Sequence, residues 1–236
     1  MYYGMTTTLN PVQPGSNPDA ARLQSVDLVG PAGRLEAVLN LGSPNAPFAA
    51  LVCHPNPQAG GTMHNKVVYH AMKVLNDPEW GFGFPVLRFN FRGTGLSEGA
   101  FDGRAETGDV LAALVWLENG YNRPIVVAGF SFGAAMALSA CCGRPQNIRA
   151  VAALGLPTTA DGHNYHYRSL SSCYLPKLFL SGDNDNFAPA AQLAQVGASS
   201  PEPKSMVLLP GADHFFTGKL ELMQQALAGW LKEQLK

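Results

Sequence analysis

Charge is scarce in this chain of 236 residues. Asp, Glu, Lys and Arg together make up 14% of it, against about a quarter in ordinary globular domains. The 16 basic and 17 acidic side chains leave a formal charge of −1. Without a cationic excess there is nothing to neutralise a phosphate backbone, so nucleic-acid binding is not expected. No apolar run approaches the roughly 18 residues of a membrane helix, so no membrane span is expected. Cysteine is sparse as well: Cys53, Cys141, Cys142 and Cys173 are the full set. One lies in an apolar run and two are adjacent, a pattern unlike a disulfide framework or a zinc CxxC pair. They read as reduced thiols, and the expected compartment is the cytoplasm. Met1–Arg22 has neither a basic nor an apolar leader block, so no secretory signal is expected. These residues read as a loose tail (1–22) ahead of one domain (23–236). No cofactor and no metal is expected, and the chain reads as a monomer or homodimer.

Glycine and proline are plentiful, at 25 and 18 residues, and 46% of the chain is hydrophobic. This is too apolar and too neutral for disorder. Short apolar runs alternate with helical stretches. The strand candidates are Leu23–Leu28, Arg34–Leu41, Phe48–Cys53, Val86–Asn90, Ile125–Ala128, Ala150–Leu154, Lys177–Leu180 and Ser205–Leu208. Several are apolar at nearly every position, as suits a parallel sheet covered on both faces. Gly30–Pro31–Ala32–Gly33 joins the first two as an antiparallel hairpin. Helices are expected over Asn65–Leu75, Glu106–Leu117, Gly133–Cys142, Pro189–Val196 and Lys219–Leu235. Regular alternation of strand and helix implies parallel crossovers.

The sharpest motif is Gly129–Phe130–Ser131–Phe132–Gly133. An apolar strand ends just before it and a helix of small residues starts just after it. That context makes G-x-S-x-G a nucleophile elbow, a tight turn that lifts the serine hydroxyl above the sheet. A serine needs a base. Of six histidines, His214 follows the last strand and precedes the last helix, which places it on the same sheet edge as Ser131. The base needs a carboxylate to fix its tautomer. Asp183 and Asp185 both follow the seventh strand. Asp185 is preferred, because Asp183 is placed to tie down the turn through its own backbone N–H groups. Asp213 reads as a loop carboxylate. Oxyanion donors are expected from the backbone N–H of Phe132 and from the loop after the third strand. There Pro55 and Pro57 have no N–H, which leaves Asn56 first and Gln58 second. Phe130, Phe187, Phe215 and Tyr165 flank these positions and are candidate substrate contacts. Asp102, Glu106 and Asp109 read as helix-start capping. His163 and His166 read as a rim loop, since no third ligand has matching spacing. The glycines at Gly93–Gly99 lack the spacing of a dinucleotide loop.

Four segments now resemble the α/β-hydrolase superfamily, and within it small, cap-free bacterial serine esterases. They are His54–Pro57 with Gly60–Met63, Arg88–Gly95, Gly129–Gly133 and Pro210–Phe216. The resemblance implies an α/β-hydrolase fold, an eight-stranded mostly parallel sheet with helices on both faces. It implies Ser131 as nucleophile, Asp185 as acid and His214 as base. The pattern more often has His where this chain has Asn56, which bears on substrate fit. Many relatives insert a cap after the sixth strand. Here only Leu156–Pro176 lies between the sixth and seventh, enough for a crossover but too short for a cap domain. The implied activity is a carboxylesterase acting on small esters through an acyl-enzyme. A thioesterase, amidase or peptidase would use the same triad, and a non-catalytic binding module would keep the same scaffold.

Overall fold

A computed structural model describes residues 23–143, 147–160 and 163–236. The expected tail (1–22) lies outside the described residues. All eight expected strands form: β1 Leu23–Gly30, β2 Gly33–Asn40, β3 Ala49–Cys53, β4 Val86–Phe89, β5 Ile125–Phe130, β6 Ile148–Leu154, β7 Lys177–Gly182 and β8 Lys204–Leu209. They build one sheet in the order β1-β2-β4-β3-β5-β6-β7-β8. β1 and β2 form the antiparallel hairpin, and β2 also runs antiparallel to β4. Every other pairing is parallel. The central strands β3, β4 and β5 are buried at every position, because both of their faces are covered.

The five helices are α1 Lys66–Asn76, α2 Thr107–Tyr121, α3 Phe132–Cys142, α4 Ala190–Ala198 and α5 Leu220–Gln234. One core holds residues of α2, α3 and α4 against the sheet. The other holds residues of α1 and α5. α5 turns Met223, Leu227, Trp230 and Leu231 inward, the stripe that its apolar spacing sets. α3 carries no such stripe. Its Ala-rich surface is buried nearly all round, which lets it lie close under the sheet edge.

No cap domain stands between β6 and β7. Among the described residues that connection holds a two-residue ribbon, Thr159–Ala160 with His163–Asn164, and a 3-10 turn, Arg168–Ser172. The turn leads into Cys173, which forms a disulfide with Cys142 at the end of α3. This corrects the expectation of four reduced thiols, and it removes the argument for a reducing compartment that rested on them. The two cysteines lie 31 positions apart, so no local spacing announces the pair. Cys53 and Cys141 are free and buried. Burial pushes both thiols up, Cys141 to about 12.

Candidate active site

Ser131 sits between β5 and α3 with φ 54° and ψ −121°. A non-glycine residue holds such a conformation only where its surroundings over-determine it. They do so here. A Cβ at Gly129 would collide with the carbonyl of Gly133, and one at Gly133 would collide with the carbonyls of His54 and Cys53. Strand, helix and the β3 loop therefore touch backbone to backbone, and the serine is pushed to the top of the turn. The Ser131 N–H donates to the Leu154 carbonyl at 2.9 Å, fixing the turn to β6.

The hydroxyl meets a histidine brought from 83 residues away: His214 Nε2 lies 3.0 Å from Ser131 Oγ. His214 Nδ1 lies 2.8 Å from Asp185 Oδ2. A neutral imidazole with its proton on Nδ1 satisfies both contacts, donating to the carboxylate and accepting from the hydroxyl. Asp185 is fully engaged. Its Oδ2 also accepts from Ser181 Oγ at 2.8 Å. Its Oδ1 accepts the N–H groups of Phe187 and Ala188 at 2.8 and 3.0 Å. Burial pushes the Asp185 carboxyl up. The hydrogen bond from His214, its charge, and the bonds from Ser181 and Phe187 outweigh that and leave it below the ordinary carboxylate value. Asp185 and His214 are buried, while Ser131 is part-exposed.

The other carboxylates go elsewhere. Asp183 Oδ1 accepts the Gly211 N–H at 2.7 Å. It ties down the loop after β8 rather than its own turn, as spacing had suggested. Asp213 Oδ1 accepts the N–H groups of Phe215 and Thr217 at 3.1 and 2.8 Å, as a loop carboxylate does. Asp109 does not cap α2 as expected: its oxygens accept the backbone N–H and the guanidinium of Arg92, with an ion pair at 2.6 Å.

In the β3 loop, the Gln58 N–H is taken by Asn56 Oδ1 at 2.9 Å. The Asn56 N–H has no protein acceptor among the described residues, and neither has that of Phe132, the first residue of α3. Asn56 and Phe132 line the same cavity of about 690 Å³, together with Gln58, Met136 and Tyr165. His54 stands behind this loop. Its Nδ1 lies 2.7 Å from the Pro55 carbonyl, and its Nε2 accepts the Phe91 N–H at 2.9 Å. Burial lowers its pKa to about 4, partly opposed by the bond to Pro55. A neutral imidazole thus holds the loop.

The four aromatic candidates divide. Tyr165 lines the cavity. Phe187 and Phe215 are 37% and 53% exposed, and their rings stand 4.6 and 5.2 Å from the His214 imidazole. Phe130 has 0% exposure and packs 5.1 Å from the same ring. It therefore supports the histidine from behind and offers no surface to a substrate, which corrects its place among the contacts. Sequence reasoning missed Ser181 and Gly155. The first is an ordinary strand-end serine in the sequence. The second has φ +54° and its Cβ position lies 3.2 Å from the His214 ring, a closeness that exists only after folding.

Comparison with known proteins shows the family to which this fold belongs. The family described as Alpha/beta hydrolase domain matches residues 59–226. An uncharacterized protein of Rickettsia prowazekii is 39% identical over 211 residues, 86% of either chain. A solved structure from Xanthomonas campestris, described as an a/b serine hydrolase without lid, is 29% identical with a TM-score of 0.79. The match covers 95% of this chain and 97% of that one. An alpha-beta serine hydrolase homologue from Coxiella burnetii is 32% identical with a TM-score of 0.77, covering 87% and 96%. With its lidless eight-stranded sheet and its family match across most of the domain, the chain belongs to the α/β-hydrolase superfamily.

Proposed function

We propose that the protein is a carboxylesterase that cleaves small, accessible esters through an acyl-enzyme on Ser131. The observation that carries this reading is the continuous hydrogen-bonded line Ser131–His214–Asp185 beside two unpaired backbone N–H groups. Ser131 Oγ attacks the ester carbonyl carbon while His214 Nε2 takes the hydroxyl proton. Asp185 holds the tautomer and stabilises the imidazolium. The N–H groups of Asn56 and Phe132 receive the negative charge that develops on the carbonyl oxygen. His214 then gives its proton to the leaving alkoxide, and the alcohol departs. Water enters, His214 takes one of its protons while the hydroxide attacks the acyl carbon, and the acyl–Oγ bond breaks as His214 returns that proton to Ser131, releasing the acid. The missing cap supports small or surface-accessible substrates, because nothing has to open before an ester can approach.

The test is hydrolysis of p-nitrophenyl acetate and butyrate by the wild-type chain and by Ser131→Ala. The variant is expected to lose about 10⁴-fold or more in kcat. Equal turnover by the two proteins would overturn the reading.

A further inference from the structure

The cavity that Asn56 and Phe132 line has a one-sided charge. Among the described residues its charged lining side chains are Arg104 and Arg168, His166 lines it as well, and no Asp or Glu of those residues does. Both guanidinium groups are exposed, and neither forms an ion pair among the described residues. The carboxylates nearest to Arg104 in sequence are turned into backbone. Asp102 Oδ1 accepts the N–H groups of Arg104 and Ala105 at 3.2 and 2.9 Å. Glu106, wholly buried, accepts those of Asp102 and Gly103 at 2.7 and 2.9 Å. These four bonds pin the loop that carries Arg104, and neither carboxylate forms an ion pair with its guanidinium. Arg168 opens the 3-10 turn that the Cys142–Cys173 disulfide fastens to α3. Two unpaired cations thus stand on anchored segments around a cavity that also touches Asn56 and Phe132. A planar guanidinium suits a carboxylate, which it can grip with two parallel hydrogen bonds.

We propose that the preferred substrate carries a carboxylate as well as its ester, as in a monoester of a short dicarboxylic acid. Arg104 and Arg168 hold the free carboxylate while the ester carbonyl lies at Ser131. The chemistry is unchanged: water cleaves the acyl–oxygen bond, and an alcohol and a dicarboxylate leave. This inference rests on the esterase reading for its turnover, but the binding it requires can be measured without turnover.

The experiment is calorimetric titration of Ser131→Ala with monomethyl glutarate and with dimethyl glutarate at low salt. The acidic monoester is expected to bind about tenfold more tightly than the neutral diester. Adding Arg104→Gln or Arg168→Gln should each cut that ratio by about threefold, the scale for part-exposed charge pairs. The ratio should also shrink as salt rises. Both positions are exposed, so neither substitution threatens the fold. A ratio of one or less, no measurable binding of either compound, or a ratio that ignores both substitutions would overturn the proposal. None of these results touches p-nitrophenyl ester hydrolysis. Conversely, a selective anion pocket on a chain that hydrolyses no ester would overturn the esterase reading alone.

Discussion

Asp183 and Asp185 illustrate how two carboxylates that look alike in sequence are separated by where their oxygens point. Asp183 and Asp185 leave the same strand end two positions apart. Asp183 reaches the Gly211 N–H, and Asp185 reaches the imidazole and three further donors. Strand alternation turns successive side chains to opposite sides, but the turn after β7 breaks that rule, so spacing could rank the pair without deciding it. The account expects Asp185→Asn to lower kcat on p-nitrophenyl butyrate by about 10⁴-fold, because an amide NH₂ would hold the wrong histidine tautomer. Asp183→Asn keeps an oxygen for Gly211 and should stay within about tenfold of wild type. The reverse order of the two losses would exchange their roles. Ser181 and Gly155 were illegible for a different reason. Neither residue type signals anything at its position, and their contacts with Asp185 and His214 appear only when β6 and β7 lie side by side.

Among the elements, the sheet was legible almost to its ends. Most strands centre on a short apolar run bounded by turn residues, while β1 and β2 mix polar residues among the apolar ones, and each helix fits a gap between strands. Boundaries moved by a few residues, as in β5, which continues through Phe130 into the serine turn. The disulfide and the ribbon after β6 were illegible, since both depend on how the crossover folds back over α3. The β3 loop shows what joins two elements at the site: His54 binds Pro55 on its own loop and Phe91 beyond the end of β4. A proton on Nε2 would remove the acceptor for Phe91. Burial lowers the His54 pKa to about 4 in the folded chain, whereas an unfolded histidine titrates at about 6.5. Between these values the unfolded chain binds more protons, so stability falls as pH falls through that window and is complete above it. The slope attributable to one such group is at most about 1.4 kcal/mol per pH unit. Urea unfolding from pH 7 to pH 4.5 should therefore show a steeper acid decline in wild type than in His54→Gln. Parallel declines would contradict the role given to this ring.

At the scale of the whole molecule, the candidate site lies at the carboxyl ends of the parallel strands. The β3, β5, β7 and β8 loops meet there, each bringing one part: Asn56, Ser131, Asp185 and His214. Two apolar layers under and over the sheet hold those strand ends in register. Among the described residues, Arg104 and Arg168 form no ion pair and line the cavity that Asn56 and Phe132 also line. Ser131 is part-exposed, and among the described residues no cap domain covers it. The central claim, a nucleophilic Ser131 activated by His214, is tested most directly by covalent labelling. A fluorophosphonate probe followed by intact and peptide mass spectrometry should add one phosphonyl group to wild type, at Ser131. Labelling should be abolished in Ser131→Ala and slowed by about 10²-fold or more in His214→Ala. An unlabelled wild type, an adduct at another residue, or undiminished labelling of His214→Ala would contradict the account.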